Sequence, residues 1–190
     1  HPVAVFSGSS RNVLCNGNGG DVLQQQIFPA NTWGTRYLTY HAKVNAGEPV
    51  TTGFLNIYRI AVRNPSTVVK RNGAVLSGLI NNSYYEFTST TGDYIEADEP
   101  VLVAQFPVSS NQCSGTADPP VGDPEMIYVS PIEQGVKKAV FYHTRNQAID
   151  VNYVNIIIKT AGLLSLRIDG APVTAGEYAS HPFNSAYTVV

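Results

Sequence analysis

Val101-Leu102-Val103-Ala104-Gln105-Phe106 is the stretch on which the fold turns. It is a short apolar run without a 3.6-residue stripe, of the kind a strand buried on both faces shows. Two longer segments have the same extended character: Thr51–Val62, around Phe54-Leu55-Asn56-Ile57, and Val151–Lys159, around Tyr153-Val154-Asn155-Ile156. Between apolar stretches lie Asn72-Gly73 and Asp169-Gly170. Both predict two-residue hairpins, because a type I′ turn needs positive φ at both central positions. The nearest approach to a helical pattern, Asp21–Phe28, is too short to weigh.

Composition agrees. The 190 residues include 11 Tyr and 7 Phe, which suit a pleated, half-buried surface, and 16 Gly and 12 Pro, which punctuate it. Hydrophobic residues make up 43%, enough for a packed core, so wholesale disorder is excluded. A net charge of −2 gives no electrostatic footprint for nucleic acid. No apolar run approaches the ~18 residues of a membrane span, so no membrane insertion is expected.

Self-comparison reveals an internal repeat with an offset of about 100 residues. His1-Pro2-Val3-Ala4-Val5-Phe6 matches Glu99-Pro100-Val101-Leu102-Val103-Ala104, and Ile27-Phe28-Pro29 matches Val129-Ser130-Pro131. Leu38-Thr39-Tyr40-His41 matches Val140-Phe141-Tyr142-His143, and the Asn-Gly turn matches the Asp-Gly turn. The expected fold is all-β: two tandem antiparallel β-sandwich-like repeats, residues 1–98 and 99–190, with little or no helix. Separate sandwiches and two halves of one larger sheet both satisfy the pattern. The chain reads as a piece of a longer array whose ends lack a strand that a neighbour supplies.

Cys15 and Cys113 occupy equivalent polar loops. They form a candidate disulfide between the repeats in an oxidising compartment, or two loop thiols. No Cys-x-x-Cys or His-x₃-His spacing suggests zinc. Nucleophile elbows, phosphate loops and dinucleotide fingerprints are absent, so no enzyme is expected. Asp118, Asp123 and Glu125 are calcium candidates, without an EF-hand spacing; otherwise no cofactor is expected. Asn81-Asn82-Ser83 is a formal glycosylation sequon.

His41 and His143 each follow a tyrosine and precede a small residue and a cation. They read either as a duplicated polar binding site or as strand ends emerging into solvent, and repetition favours the second. His1 and His181 precede Pro and read as loop or strand-edge positions. Trp33, the sole tryptophan, joins Tyr37 and Tyr40 as a candidate sugar-stacking platform. Ser7–Gly20, Pro29–Thr35 and Ser109–Pro124 are the candidate binding loops.

Pro2–Gly8, Gln26–Pro29, Trp33-Gly34-Thr35, Ala97–Phe106, Gly122–Met126, Pro131–Gln134, Asn152–Ile156 and Leu166–Gly170, in this order, resemble the N-terminal domain of IgGFc-binding proteins. The resemblance covers essentially the whole chain. It implies an extracellular or cell-surface module that binds rather than catalyses. Two cysteines, against cysteine-rich animal members, favour a bacterial surface protein. The expected role is adhesion or surface assembly within a larger multidomain protein, through a protein or glycan ligand at a cell surface or matrix. A carbohydrate-binding module and a structural spacer pairing with neighbouring repeats are the alternatives.

Overall fold

The computed structural model describes residues 1, 3–14, 20–42, 49–51, 53–109, 113, 124–142 and 152–190. The described residues form short strands and three 3₁₀ turns, without an α-helix. The strands are β1 (Phe6–Asn12), β2 (Asp21–Gln26), β3 (Gly34–Leu38), β4 (Asn56–Ala61), β5 (Val69–Arg71), β6 (Ala74–Val75) and β7 (Tyr84–Ser89). They continue as β8 (Tyr94–Pro107), β9 (Ile127–Val129), β10 (Ile157–Lys159), β11 (Arg167–Ile168), β12 (Ala171–Pro172), β13 (Ala179–Ser180) and β14 (Tyr187–Val189). Every ladder is antiparallel, so the all-β expectation holds.

The apolar run that opened the reading is the second half of β8, the central strand of a seven-stranded sheet. Val101–Phe106 is buried throughout, and its alternating side chains feed two cores. Val101 and Val103 join Tyr37, Tyr58, Ile60, Val69 and Ile95 on one face. Ala104 and Phe106 join Leu14, Leu23, Ile57, Val108 and Met126 on the other. Each such side chain contributes about 1.5–3 kcal/mol on burial. Residues covered on both faces have no reason to alternate with polar ones, which explains the continuous run.

β8 takes part in two groups of ladders. Its Tyr94–Ala97 part pairs with β3 and β5; its Val101–Pro107 part pairs with β4 and β9. The strand therefore runs without a break through Asp98 and Glu99. The register with β3 slips between Gly34↔Val101 and Arg36↔Glu96, and the three extra residues include Pro100, a residue suited to a bulge. Asp98 and Glu99 are exposed, and accept hydrogen bonds from the Val68 amide (2.9 Å) and the Thr67 hydroxyl (3.3 Å).

The offsets of the sequence repeat recur in the pairings. Phe6 faces Gln26 and Ser7 faces Gln25, as Ala104 faces Tyr128 and Gln105 faces Ile127. β5 and β6 turn at Asn72 (φ 53°) and Gly73 (φ 85°), and β11 and β12 at Asp169 (φ 49°) and Gly170 (φ 84°), both as read from sequence. The 3₁₀ turns Ala30–Thr32 and Ile132–Gln134 each follow a proline. They touch: Arg36 pairs with Glu133 (3.0 Å), and the Gln134 amide donates to the Thr32 carbonyl. The two copies differ in packing. From residue 152 onward the buried apolar side chains are Leu163 and Val189 alone among the described residues.

Three segments differ from expectation. Residues 51 and 53–55, and residues 152–156, carry no strand; the side chains of Asn56 and Asn155 donate to backbone carbonyls instead, those of Phe54 (2.9 Å) and His41 (2.7 Å). Ser7–Asn12, expected as loop, belongs to β1. Apart from these three, the Asn81-Asn82-Ser83 sequon lies in a turn: Asn81 and Asn82 both take positive φ (49° and 54°) between Ile80 and Tyr84.

Candidate functional site

β3 ends at Leu38, and Thr39-Tyr40-His41 continues as buried backbone, with the Thr39 amide donating to Asp93 O (2.9 Å). Each of its three carbonyls is taken by a side chain from elsewhere. His181 Nε2 donates to Thr39 O (3.1 Å), Gln105 Nε2 to Tyr40 O (2.8 Å) and Asn155 Nδ2 to His41 O (2.7 Å). Buried carbonyls need such partners, since an unsatisfied one costs about 1–3 kcal/mol. Gln105 also donates to Asn56 Oδ1 (2.9 Å), which holds it in the central sheet. Asn155 and His181 come from the C-terminal part of the chain, so this segment is where that part is fastened.

The packing there is close. A Cβ on Gly92 would lie 2.7 Å from Tyr40 Cδ2, 2.8 Å from Thr39 O and 2.9 Å from His181 Nε2, so only glycine fits. The next residue, Asp93, is fully buried. Its Oδ1 accepts from Arg71 Nε and Asn72 Nδ2, both at 2.7 Å. The Arg71 guanidinium lies 4.2 Å over the Phe87 ring, which stacks on Tyr58 at 5.2 Å. Burial pushes the Tyr58 phenol well above its ordinary range.

Beside this fastening lies a cleft of about 440 Å³. Tyr40, His41 and Val50 form one wall; Tyr153, Val154, Asn155 and the β11–β12 hairpin, with Ile168 and Val173, form the other. The Tyr40 and His41 rings lie 4.4 Å apart, tilted by 32°, and the Tyr40 hydroxyl donates to Val50 O (3.0 Å). Glu177, on the rim, accepts from the Thr174 amide (2.6 Å) and hydroxyl (2.8 Å), and these bonds lower its pKa. The cleft therefore offers apolar surface, one pair of adjacent rings and a rim carboxylate that stays ionised at neutral pH.

The candidate residues fare differently. Tyr40 and His41 line the cleft; His41 is buried, so it is no strand end emerging into solvent. Tyr37 is wholly buried: its hydroxyl donates to Val101 O and accepts from Gly34 N (2.9 Å), and burial pushes its pKa up to about 12. Trp33 is half-buried, its indole donating to Phe28 O (3.2 Å). With Tyr37 in the core, the three aromatics present no common stacking face. His143, Cys15, Asp118 and Asp123 lie outside the described residues. Glu125 is exposed and accepts from the Met126 amide (2.8 Å). Among the described residues, no three His, Cys, Asp or Glu side chains gather as metal ligands.

Sequence reasoning missed Gln105, Asn155 and His181. The available signal was a polar residue inside each strand-like run, at Gln105 and Asn155. Repetition also misled at one place: Leu38 and Tyr40 are buried, whereas their counterparts Val140 and Tyr142 are both 88% exposed.

No helix among the described residues is long and apolar enough to cross a membrane. No curated protein and no solved structure matches the chain. The family model described as IgGFc binding protein, in contrast, matches residues 1–190, and the chain belongs to that family.

Proposed function

We propose that the protein is a non-catalytic extracellular module that binds a protein ligand in the junction cleft, without a cofactor, and serves adhesion or surface assembly. Family membership supports a binding role. The observation that carries the site is the cleft wall: Tyr153, Val154 and Ile168, about two-fifths exposed, put apolar surface in one concavity beside the Tyr40–His41 ring pair. Exposed apolar surface rimmed by polar groups marks interaction sites.

The family's name makes the Fc region of immunoglobulin G the first ligand to try. In a biosensor titration of Fc over the immobilised protein, Val154→Asp combined with Ile168→Asp is expected to weaken binding about tenfold or more, or at least ~1.4 kcal/mol. Both side chains are accessible, so the melting temperature should stay put. Fc binding that ignores both substitutions would remove the cleft as the site, and absence of Fc binding would remove Fc as the ligand.

The low cysteine count supports a bacterial surface member of the family. We also propose the Cys15–Cys113 disulfide as a staple. Cys113 packs against the cluster that contains Leu14, the residue before Cys15. Alkylation under denaturing conditions should label neither cysteine until a reductant is added; labelling without reductant would exclude the bond.

A further inference from the structure

β4 is paired on both edges. Tyr58 lies opposite Phe87 of β7 and opposite Gln105 of β8. Its counterpart in the second copy, β10, has β14 on one edge and, among the described residues, no strand on the other. Ile156 and Val190 exchange both backbone hydrogen bonds at 2.9 Å, and Thr160 donates to Ala186 O (2.8 Å). Alternation along an antiparallel ladder then turns the backbone groups of Ile157 and Lys159 outward.

β1 has the complementary edge. It repeats the second half of β8 in sequence, and its register with β2 repeats that of β8 with β9. The far edge of that half of β8 is covered by β4, with Ile57 opposite Phe106 and Arg59 opposite Ala104. The far edge of β1 has no partner strand among the described residues. Ile27 N donates to Val5 O (2.8 Å), so Val5 and Ser7 address β2 while Ala4, Phe6 and Gly8 address the outer edge. Phe6 is 61% exposed there. The chain thus contains one finished joint, β4 with β8, and two unfinished halves of the same joint, β10 and β1.

We propose that copies of this chain associate head to tail by strand addition, β1 of one copy lying antiparallel on the outer edge of β10 of another. Matching the outward-facing backbone groups of the two edges puts Ile157 opposite Gly8 and Lys159 opposite Phe6, one residue from the β4–β8 register. The contact uses a different edge of each copy, so it is heterologous and propagates from copy to copy into rows or rings. It is independent of the cleft and of what the cleft binds.

Lys159→Pro tests the joint selectively. Lys159 has φ −56°, which proline adopts without strain, and its side chain is exposed. The amide it removes points away from β14, so the fold should survive. In sedimentation velocity from micromolar to millimolar protein, the native chain should pass from monomer to dimer and longer species. Lys159→Pro should remain monomeric or, retaining its β1 edge, cap the growth of native rows when mixed with them. Hydrogen exchange should show concentration-dependent protection at Ile157, Lys159, Phe6 and Gly8 in the native chain. A native chain monomeric at every concentration, association unaltered by Lys159→Pro, or protection confined to other segments would each overturn the proposal.

Discussion

Replacing Asp93 with alanine is expected to lower stability by about 3 kcal/mol, roughly 10 °C in melting midpoint for a chain of this size. Asp93 is wholly buried, and its Oδ1 holds both Arg71 Nε and Asn72 Nδ2. Removing it leaves the Arg71 guanidinium over Phe87 with no counter-charge, in a site whose side chain is only 27% exposed. A buried pair broken on one side costs more than the pair contributes, because the remaining charge stays desolvated. The damage should be local first. Asn72 is the first residue of the β5–β6 turn and also accepts the Tyr94 amide (2.8 Å), so the carboxylate clamps that hairpin to the start of β8. Amide exchange at Lys70–Val75 should therefore accelerate more than at β4. Asp93→Asn is the discriminating partner. It keeps the acceptor for Arg71 and Asn72 while cancelling the charge, and Oδ2 has no hydrogen-bond partner to lose. If Asn destabilised as much as Ala, the geometric clamp would be irrelevant and the charge alone would matter.

The fold was legible in the sequence where one residue type answers to one local demand. Asn72-Gly73 and Asp169-Gly170 need positive φ and take it. Val101–Phe106 needs cover on both faces and has it. Legibility failed where the local signal was missing. Pro100 stands at the start of the second copy of the repeat, and nothing local signals that the register with β3 slips there inside one strand that serves two groups of partners. The tight turn at Asn81-Asn82, with both residues in the left-handed region, has neither the Asn-Gly nor the Asp-Gly pair that marks the other two.

The candidate site was less legible, because its parts meet only through long-range contacts. Tyr40 and His41 stand out as a repeated pair, but nothing local indicates that their carbonyls are held by Gln105, Asn155 and His181. Tyr37 looks like Tyr40 in sequence and differs by facing inward: a period of two sends Tyr37 to the core, while Tyr40, two residues past the end of β3, reaches the cleft wall. The repeat predicts equivalent environments for Tyr40 and Tyr142, and the structure separates them. β8 supplies Gln105 beneath Tyr40, and no described strand takes that place beside Tyr142.

His181 is the group through which acid should act on this fastening. Its ring is 2% exposed, donates from Nε2 to Thr39 O, and accepts at Nδ1 from the Phe183 amide (3.4 Å). Those partners assign the neutral tautomer with the proton on Nε2. Burial lowers its pKa below the ordinary 6.5, against the smaller raising effects of the Thr39 carbonyl and Asp93. The folded chain then binds fewer protons at this site than the unfolded chain, so stability rises with pH across this range. The contribution is complete above the unfolded value of 6.5 and declines as pH falls below it toward the lowered folded value. The cause is concrete: a second proton would go on Nδ1 and face the Phe183 N–H, donor against donor. His181→Ala should cost about 2–3 kcal/mol at neutral pH, through the lost bond to Thr39 O and the space left beside Gly92. It should also remove this component of the acid sensitivity. Melting curves between pH 7.5 and 5 for the native chain and the variant measure both effects (~2–4 °C per kcal/mol for a chain of this length). Exchange at β13 and β14 reports whether the C-terminal strands loosen first. An acid profile identical in the two proteins would assign the sensitivity to other groups and leave His181 a purely structural anchor.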